Sequence, residues 1–166
     1  MINIICFGNQ LCSDDGVGYA VFERLQTELA LRPAPESAIQ LFYAANSGQR
    51  ALPFFFNCTH TIVVDALESQ SFGHPGKLYC FDGNDLQSMT DTDRETHLSS
   101  HMMALPQIWQ LLNTLMETPP KMTVFAIEVA DVTVFNQTIS SEVAKAVPEV
   151  TRRIIQFSDQ VSMTNR

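Results

Sequence analysis

Short apolar runs of strand length alternate along this chain with segments of helical periodicity, and this alternation restricts the possible folds. The apolar runs predict five strands, at 2–8, 39–45, 60–67, 76–83 and 121–129. Helices are predicted at 16–31, 47–56, 101–117 and 140–158, the second of them short and interrupted near Pro53. Strands separated by helices form βαβ units. We therefore expect an α/β fold of three layers, with helices on both faces of a mainly parallel or mixed sheet of about five strands.

The 166 residues suit one compact domain, which we place at 1–160. Residues 161–166 are predicted to form a flexible tail, and the polar stretch 84–100 is predicted to be a loop. No apolar stretch approaches the roughly 20 residues that span a bilayer. The first residues lack the charged segment and cleavage site of a signal peptide. We therefore expect a cytoplasmic protein with no membrane partner.

The net charge of −8 argues against a nucleic-acid partner, because phosphates require a basic face. Proteins and small molecules are the expected partners. None of the four cysteines forms a C-x-x-C pair, so the sequence does not indicate a structural zinc site. Cys6, Cys58 and Cys80 lie in or beside apolar runs and are expected to be buried thiols.

Acids and histidines recur where the predicted strands end. Asp15 follows the first strand, Asp65 closes the third, and His97 and His101 precede the helix predicted from residue 101. Ligands of such folds bind at the edge of the sheet where the parallel strands end, here termed the carboxyl edge. Two carboxylates and an imidazole suit a divalent transition metal such as nickel or zinc. The residues therefore predict a metal site at this edge.

Each of these residues also has a structural interpretation. Asp14 or Asp15 could cap the helix at 16–31, and Asp65 could cap whatever follows its strand. A histidine at the start of a helix need not be a ligand. Glu128 closes an apolar strand, where it could form a buried hydrogen bond or orient a neighbouring site residue. Composition and spacing alone name no reaction.

Five segments carry a resemblance to a known family. "FGNQLCSDDGVG" resembles the G-x-G-N-x-L-x-x-D-D/E-x-x-G signature of the hydrogenase maturation endopeptidases, which process the large subunit of nickel–iron hydrogenases. "IVVDAL" resembles their second acidic motif, and "SSHMMALPQ" resembles their histidine motif. "FAIEVADV" is similar to a late strand of the family, and "ISSEVAKAVPEV" is similar to the start of its last helix. The five follow the family's order over most of the chain.

The resemblance implies roles for individual residues. Asp15, Asp65 and His101 would be the metal ligands, with Asp15 and Asp65 as catalytic candidates. Asp14 would be a cap and structural acid, and the turn would be formed by Gly8, Asn9 and Gly18. His97 would be a surface residue. The chain departs from the family at Cys6, where the signature has its first glycine, and at "AANSGQ", where Gly-Thr is common.

The function implied is that of an endopeptidase, expected to be a monomer. It would remove the C-terminal extension of a hydrogenase large-subunit precursor that already carries nickel. The nickel would arrive with the substrate as a recognition element, and the free enzyme would not need to hold it. The chain has no G-x-S-x-G nucleophile motif, so water is the expected attacking group, activated by nickel or by a carboxylate such as Asp15.

Other functions fit parts of the pattern. A non-catalytic nickel-binding chaperone of the large subunit would use the same three ligands. Peptidyl-tRNA hydrolases also begin with an apolar strand that runs into Gly-Asn, but Ser13-Asp14-Asp15-Gly16 stands here in place of their Thr-Arg-His-Asn stretch. The negative charge also disfavours tRNA. A small-molecule hydrolase on the same fold would require a nucleophile that the sequence does not indicate.

Overall fold

The computed structural model describes residues 1–32, 39–69, 73–86, 96–98 and 105–164. The strands are β1 (Ile2–Phe7), β2 (Ile39–Ala45), β3 (His60–Ser69), β4 (Leu78–Asp82), β5 (Thr96–Leu98) and β6 (Lys121–Val129). The main helices are α1 (Val17–Ala30), α2 (Gly48–Ala51), α3 (Leu105–Leu115) and α4 (Ser141–Thr164). Two 3₁₀ turns, Ser13–Gly16 and Leu52–Phe55, lead into α1 and follow α2.

The strands form one mixed sheet in the order β2-β1-β3-β6-β4. The first four strands of that order are parallel, and β4 runs antiparallel to β6. The short β5 pairs antiparallel with the last residues of β3, beyond the point where β1 ends. The predicted α/β fold with a mainly parallel sheet is confirmed, and β5 adds a sixth strand to the five expected.

Helices cover both faces of the sheet, because the apolar residues of its central strands alternate between two cores. Ile4 and Cys6 of β1 belong to the core that α1 and α4 cover. Ile5 and Phe7 belong to the core on the opposite face, where α3 and the residues around α2 pack. Strands buried on both faces need continuous apolar runs, which is the pattern that made them predictable.

The structure corrects three predictions about local structure. Strand β5 lies within 84–100, which was predicted to be a loop; three residues that pair through their backbone leave no apolar pattern to detect. Helix α4 includes residues 161–164 of the predicted tail, because Val161 packs against the core. Cys80 is exposed, since the edge strand β4 is less covered than the central strands.

None of the helices in the described ranges is both long and apolar enough to cross a membrane.

Candidate active site

Three carboxylates lie at the carboxyl edge of the sheet. Asp15 follows β1, Asp65 lies near the end of β3, and Glu128 is the penultimate residue of β6. Because these three strands are parallel neighbours, their ends meet at one edge. The 3₁₀ turn at Ser13–Gly16 also contacts β3, which brings the segment of Asp15 against that of Asp65.

Two glycines allow the first strand and helix α1 to pack closely. Gly8 has a φ of +141°, and a Cβ there would overlap the backbone oxygen of Asp15. A Cβ at Gly18 would overlap the carbonyl oxygen of Phe7. The end of β1 therefore touches the first turn of α1 backbone to backbone, which fixes the intervening acids relative to the sheet.

Asn9 organises the turn between these glycines. Its backbone N–H donates to Oδ2 of Asp15 at 2.9 Å, and its backbone oxygen accepts from the N–H of Cys12 at 3.0 Å. Its side-chain oxygen accepts from the N–H of Leu11 at 3.1 Å. The turn thus holds the Asp15 carboxylate through a backbone donor that no substitution of a side chain removes.

Asp14 is completely buried and serves a different part of the molecule. Its carboxylate accepts the backbone N–H of Ser140 at 2.6 Å and the Ser140 hydroxyl at 3.0 Å. It also accepts the backbone N–H groups of Asp131 at 3.2 Å and Ala130 at 3.4 Å. Asp14 therefore joins the end of β6 to the start of α4.

The expected cap of α1 by an acid is wrong. Neither that helix nor the 3₁₀ turn before it has a side-chain cap, because the turn at Ser13–Gly16 continues directly into α1. Asp14 instead binds N–H groups 116 to 126 residues further along the chain.

Asp15 is 8% exposed, and its environment disfavours the charged form. Burial raises the pKa of its carboxyl group to about 6; the Asn9 N–H opposes this rise, and the negative charge of Glu68 adds to it. A carboxylate that is desolvated and faces another carboxylate gains more than an exposed one from meeting a cation. The electrostatics of Asp15 therefore suit a site that receives a metal ion.

Asp65 is 1% exposed, and its Oδ1 accepts the N–H of Ala66 at 2.9 Å. Side chains alternate along a strand, so Asp65 lies on the same face of β3 as Val63 and Leu67. That is the face covered by α3, the helix that follows the predicted histidine motif. Burial at the end of a central strand places Asp65 in the position usual for a functional residue of this architecture.

Glu128 is also buried, but both of its oxygens have partners. The backbone N–H of His74 donates to Oε1, and the Tyr79 hydroxyl donates to Oε2, each at 2.9 Å. The backbone of Glu128 bonds to Gly76 and Lys77 as well. Glu128 thus fastens the segment before β4 to the carboxyl edge, which is the buried hydrogen bonding considered from its sequence position.

Of the predicted ligands, His101 lies outside the described residues. His97 pairs through β5 with Glu68 of β3, so this part of the chain returns to the carboxyl edge just before residue 101. Within the described ranges, no three histidine, cysteine, aspartate or glutamate side chains come together as a metal site. The structure therefore brings the segments of Asp15 and Asp65 together and leaves His101 a sequence-based prediction.

Glu68 is the residue near the site that the sequence analysis missed. It lies three residues after Asp65, in "DALES", and its charge acts on the pKa of Asp15. An acid so close behind the second acidic motif was a visible signal.

A cavity of about 370 Å³ lies at the opposite edge of the sheet, between the starts of β3 and β6 and the Trp109 ring. It contains none of the predicted site residues. The carboxyl edge instead borders a cavity of about 240 Å³ beside α1, which Gln10 and Gly16 help to line. The carboxylates therefore lie at an open edge, which suits a large substrate better than an enclosed small molecule.

A model of the family described as "HycI: Hydrogenase maturation protease" matches residues 20–157. This range includes Asp65 and Glu128 and begins after Asp15. Among curated protein sequences, none matches significantly.

Solved structures of maturation proteases share the fold. The HybD nickel–iron hydrogenase maturation protease from Thermococcus kodakarensis is 18% identical with a TM-score of 0.74, over 94% of this chain and 97% of that one. The hydrogenase maturating endopeptidase HybD from E. coli is 17% identical with a TM-score of 0.77, over 96% and 93%. HycI from Thermococcus kodakarensis KOD1 is 19% identical with a TM-score of 0.68, over 93% and 90%.

Proposed function

Because the chain belongs to the hydrogenase maturation protease family, we propose that it removes the C-terminal extension of a nickel–iron hydrogenase large-subunit precursor. One observation supports this most strongly. Asp15 and Asp65, which come from separate segments, are both buried at the carboxyl edge, and the surroundings of Asp15 disfavour its charge. A buried acid with a raised pKa at an open sheet edge is typical of a functional site.

Nickel is part of the substrate in this proposal. Asp15 and Asp65 supply carboxylate oxygens, and His101 supplies an imidazole, to a nickel ion held by the precursor. These donors are ones that a borderline divalent metal accepts. The proximity of Glu68 to Asp15 adds negative charge that favours an arriving cation.

Hydrolysis then requires a base for the attacking water. Asp15, with a pKa of about 6, is mostly ionised at neutral pH and is still basic enough to accept a proton. The water oxygen bonds to the carbonyl carbon of the scissile peptide as its proton passes to Asp15. When the C–N bond breaks, that proton is returned to the leaving amine.

The test is a processing assay with the purified chain and a nickel-loaded large-subunit precursor, run beside a nickel-free precursor. We expect a shortened product with the nickel-loaded sample alone. Asp65→Asn and His101→Ala should each reduce the rate by about 100-fold or more, since each removes a group that contacts the metal. Asp159→Asn is the matched control, because Asp159 is a half-exposed acid on α4 that pairs with Arg32.

Three results would contradict the proposal in different ways. Nickel-dependent binding without cleavage would indicate a chaperone of the large subunit. Wild-type rates for both Asp65→Asn and His101→Ala would show that the site residues are wrongly assigned. Neither binding nor cleavage of a matched precursor would show that this chain has the family's fold with a different substrate.

A further inference from the structure

The segment that follows β6 exposes an apolar surface next to the carboxyl edge. Val134 is 63% exposed and Phe135 is 90% exposed, and Val132 and Leu11 beside them are also exposed. We call these four residues the apolar patch. Clustered exposed apolar side chains of this kind mark interaction surfaces more often than isolated ones do.

Hydrogen bonds hold the patch in place. Asn136 accepts the N–H of Ser13 at 2.6 Å and donates its own N–H to Leu11 at 3.2 Å, so the two segments of the patch are joined. Asp131 accepts both the N–H and the hydroxyl of Thr133. The buried carboxylate of Asp14 anchors the start of the segment. The exposure of Phe135 is therefore a property of an ordered segment.

Phe135 also has an unfavourable backbone conformation. Its φ is +61°, in the left-handed region that glycine and asparagine adopt far more readily than aromatic residues. A residue chosen for stability at this position would be small or polar. Neither stability nor solubility accounts for an exposed phenylalanine here, whereas contact with a partner does.

A cavity of about 240 Å³ adjoins the patch. It is lined by Gln10, Gln137, Tyr19, Glu23, Ile139 and neighbouring residues. Gln10 precedes Leu11, and Gln137 follows Asn136, so the cavity is continuous in sequence with the patch. Amide and hydroxyl groups can bond to the backbone of an extended peptide. Glu23 is the one charged residue among the described residues that line the cavity, so the complementary ligand carries a positive charge.

We propose that the apolar patch and this cavity form the docking surface for an extended segment of the precursor. An apolar side chain of that segment packs on Phe135, and a lysine or arginine lies near Glu23. The net charge of −8 on the whole chain favours the same basic partner. This inference depends on the proposed function, and it adds the chemistry of the segment that the enzyme recognises away from the nickel.

The first test is Phe135→Asn, with KM, kcat and the thermal midpoint measured on the nickel-loaded precursor. Asparagine tolerates the left-handed conformation, so the midpoint should stay at or above that of the wild type. Loss of the aromatic contact should raise KM about tenfold with kcat unchanged. Leu31→Ser is the control, because Leu31 is 82% exposed at the far end of α1 and should leave both constants at wild-type values.

The second test is Glu23→Gln, which should raise KM several-fold at low salt and lose this effect at about 1 M salt. Unchanged KM in both variants, with a wild-type enzyme that processes the precursor, would overturn the docking surface and leave the proposed function intact. A wild-type enzyme that does not process the precursor would overturn the proposed function and this inference with it. Equal increases for Leu31→Ser would also overturn the docking surface.

Discussion

Asp14 and Asp15 are adjacent in sequence and both buried, yet they occupy opposite electrostatic environments. Asp14 accepts four hydrogen bonds from Ala130, Asp131 and Ser140. Asp15 receives one backbone N–H, from Asn9, and its pKa is raised by burial and by Glu68. The first acid is surrounded by donors that stabilise its charge, and the second is held where its charge is disfavoured.

The difference shows how one turn can serve both stability and chemistry. A carboxylate with four donors has little capacity left for a ligand. A desolvated carboxylate beside a second acid is costly to the free protein and ready for a cation or a proton. Sequence neighbours can differ in this way because the turn directs one side chain towards α4 and leaves the other near the ends of β1 and β3.

The largest change in stability is expected for Asp14→Ala. The substitution leaves the buried N–H groups of Ala130, Asp131 and Ser140 without an acceptor, which should reduce the free energy of unfolding by about 3–4 kcal/mol. Urea denaturation would measure the loss. A change below about 1 kcal/mol would show that water replaces the carboxylate, and Asp14 would not be an anchor.

Asp15→Asn should have the opposite effect on the free protein. The raised folded-state pKa means that the folded state binds more protons than the unfolded state between pH 4 and pH 6, so Asp15 lowers stability as the pH rises through that window. The substitution should therefore stabilise the protein at pH 7 by up to about 3 kcal/mol and have no effect below about pH 4. Thermal unfolding across this pH range is the measurement. Destabilisation at pH 7 would contradict the environment assigned to Asp15.

Glu128 tests which of the two acids is the better model for the third carboxylate. Its bonds to His74 and Tyr79 make it an anchor like Asp14. Tyr79→Phe should destabilise the protein by about 1–1.5 kcal/mol with little change in processing rate. A large loss of processing with unchanged stability would instead place Glu128 in the chemistry.

The sequence predicts the sheet well because the central strands are buried on both faces. β2 and β6 begin and end where their apolar runs do, at Ile39–Ala45 and Lys121–Val129. The same reasoning fails for β5, whose pairing with β3 depends on backbone groups rather than on side-chain pattern. It also ended α4 too early, because the burial of Val161 depends on tertiary packing.

The site is less predictable than the fold. The positions of Asp15 and Asp65 at the carboxyl edge follow from strand ends, which the sequence reveals. The partner of Asp14 does not, since Ser140 is 126 residues away and helix capping is a local rule. The strained conformation of Phe135 likewise has no local signal, because it depends on pairing with the segment at Leu11.

The most direct measurement is the single-turnover rate of processing of a nickel-loaded precursor by Asp15→Asn and Asp14→Asn, each normalised to the folded fraction. A division of labour predicts that Asp15→Asn is fully folded and slower by about 100-fold or more. It also predicts that Asp14→Asn is less stable but close to the wild-type rate per folded molecule. A stable, fast Asp15→Asn together with a folded, inactive Asp14→Asn would contradict the account.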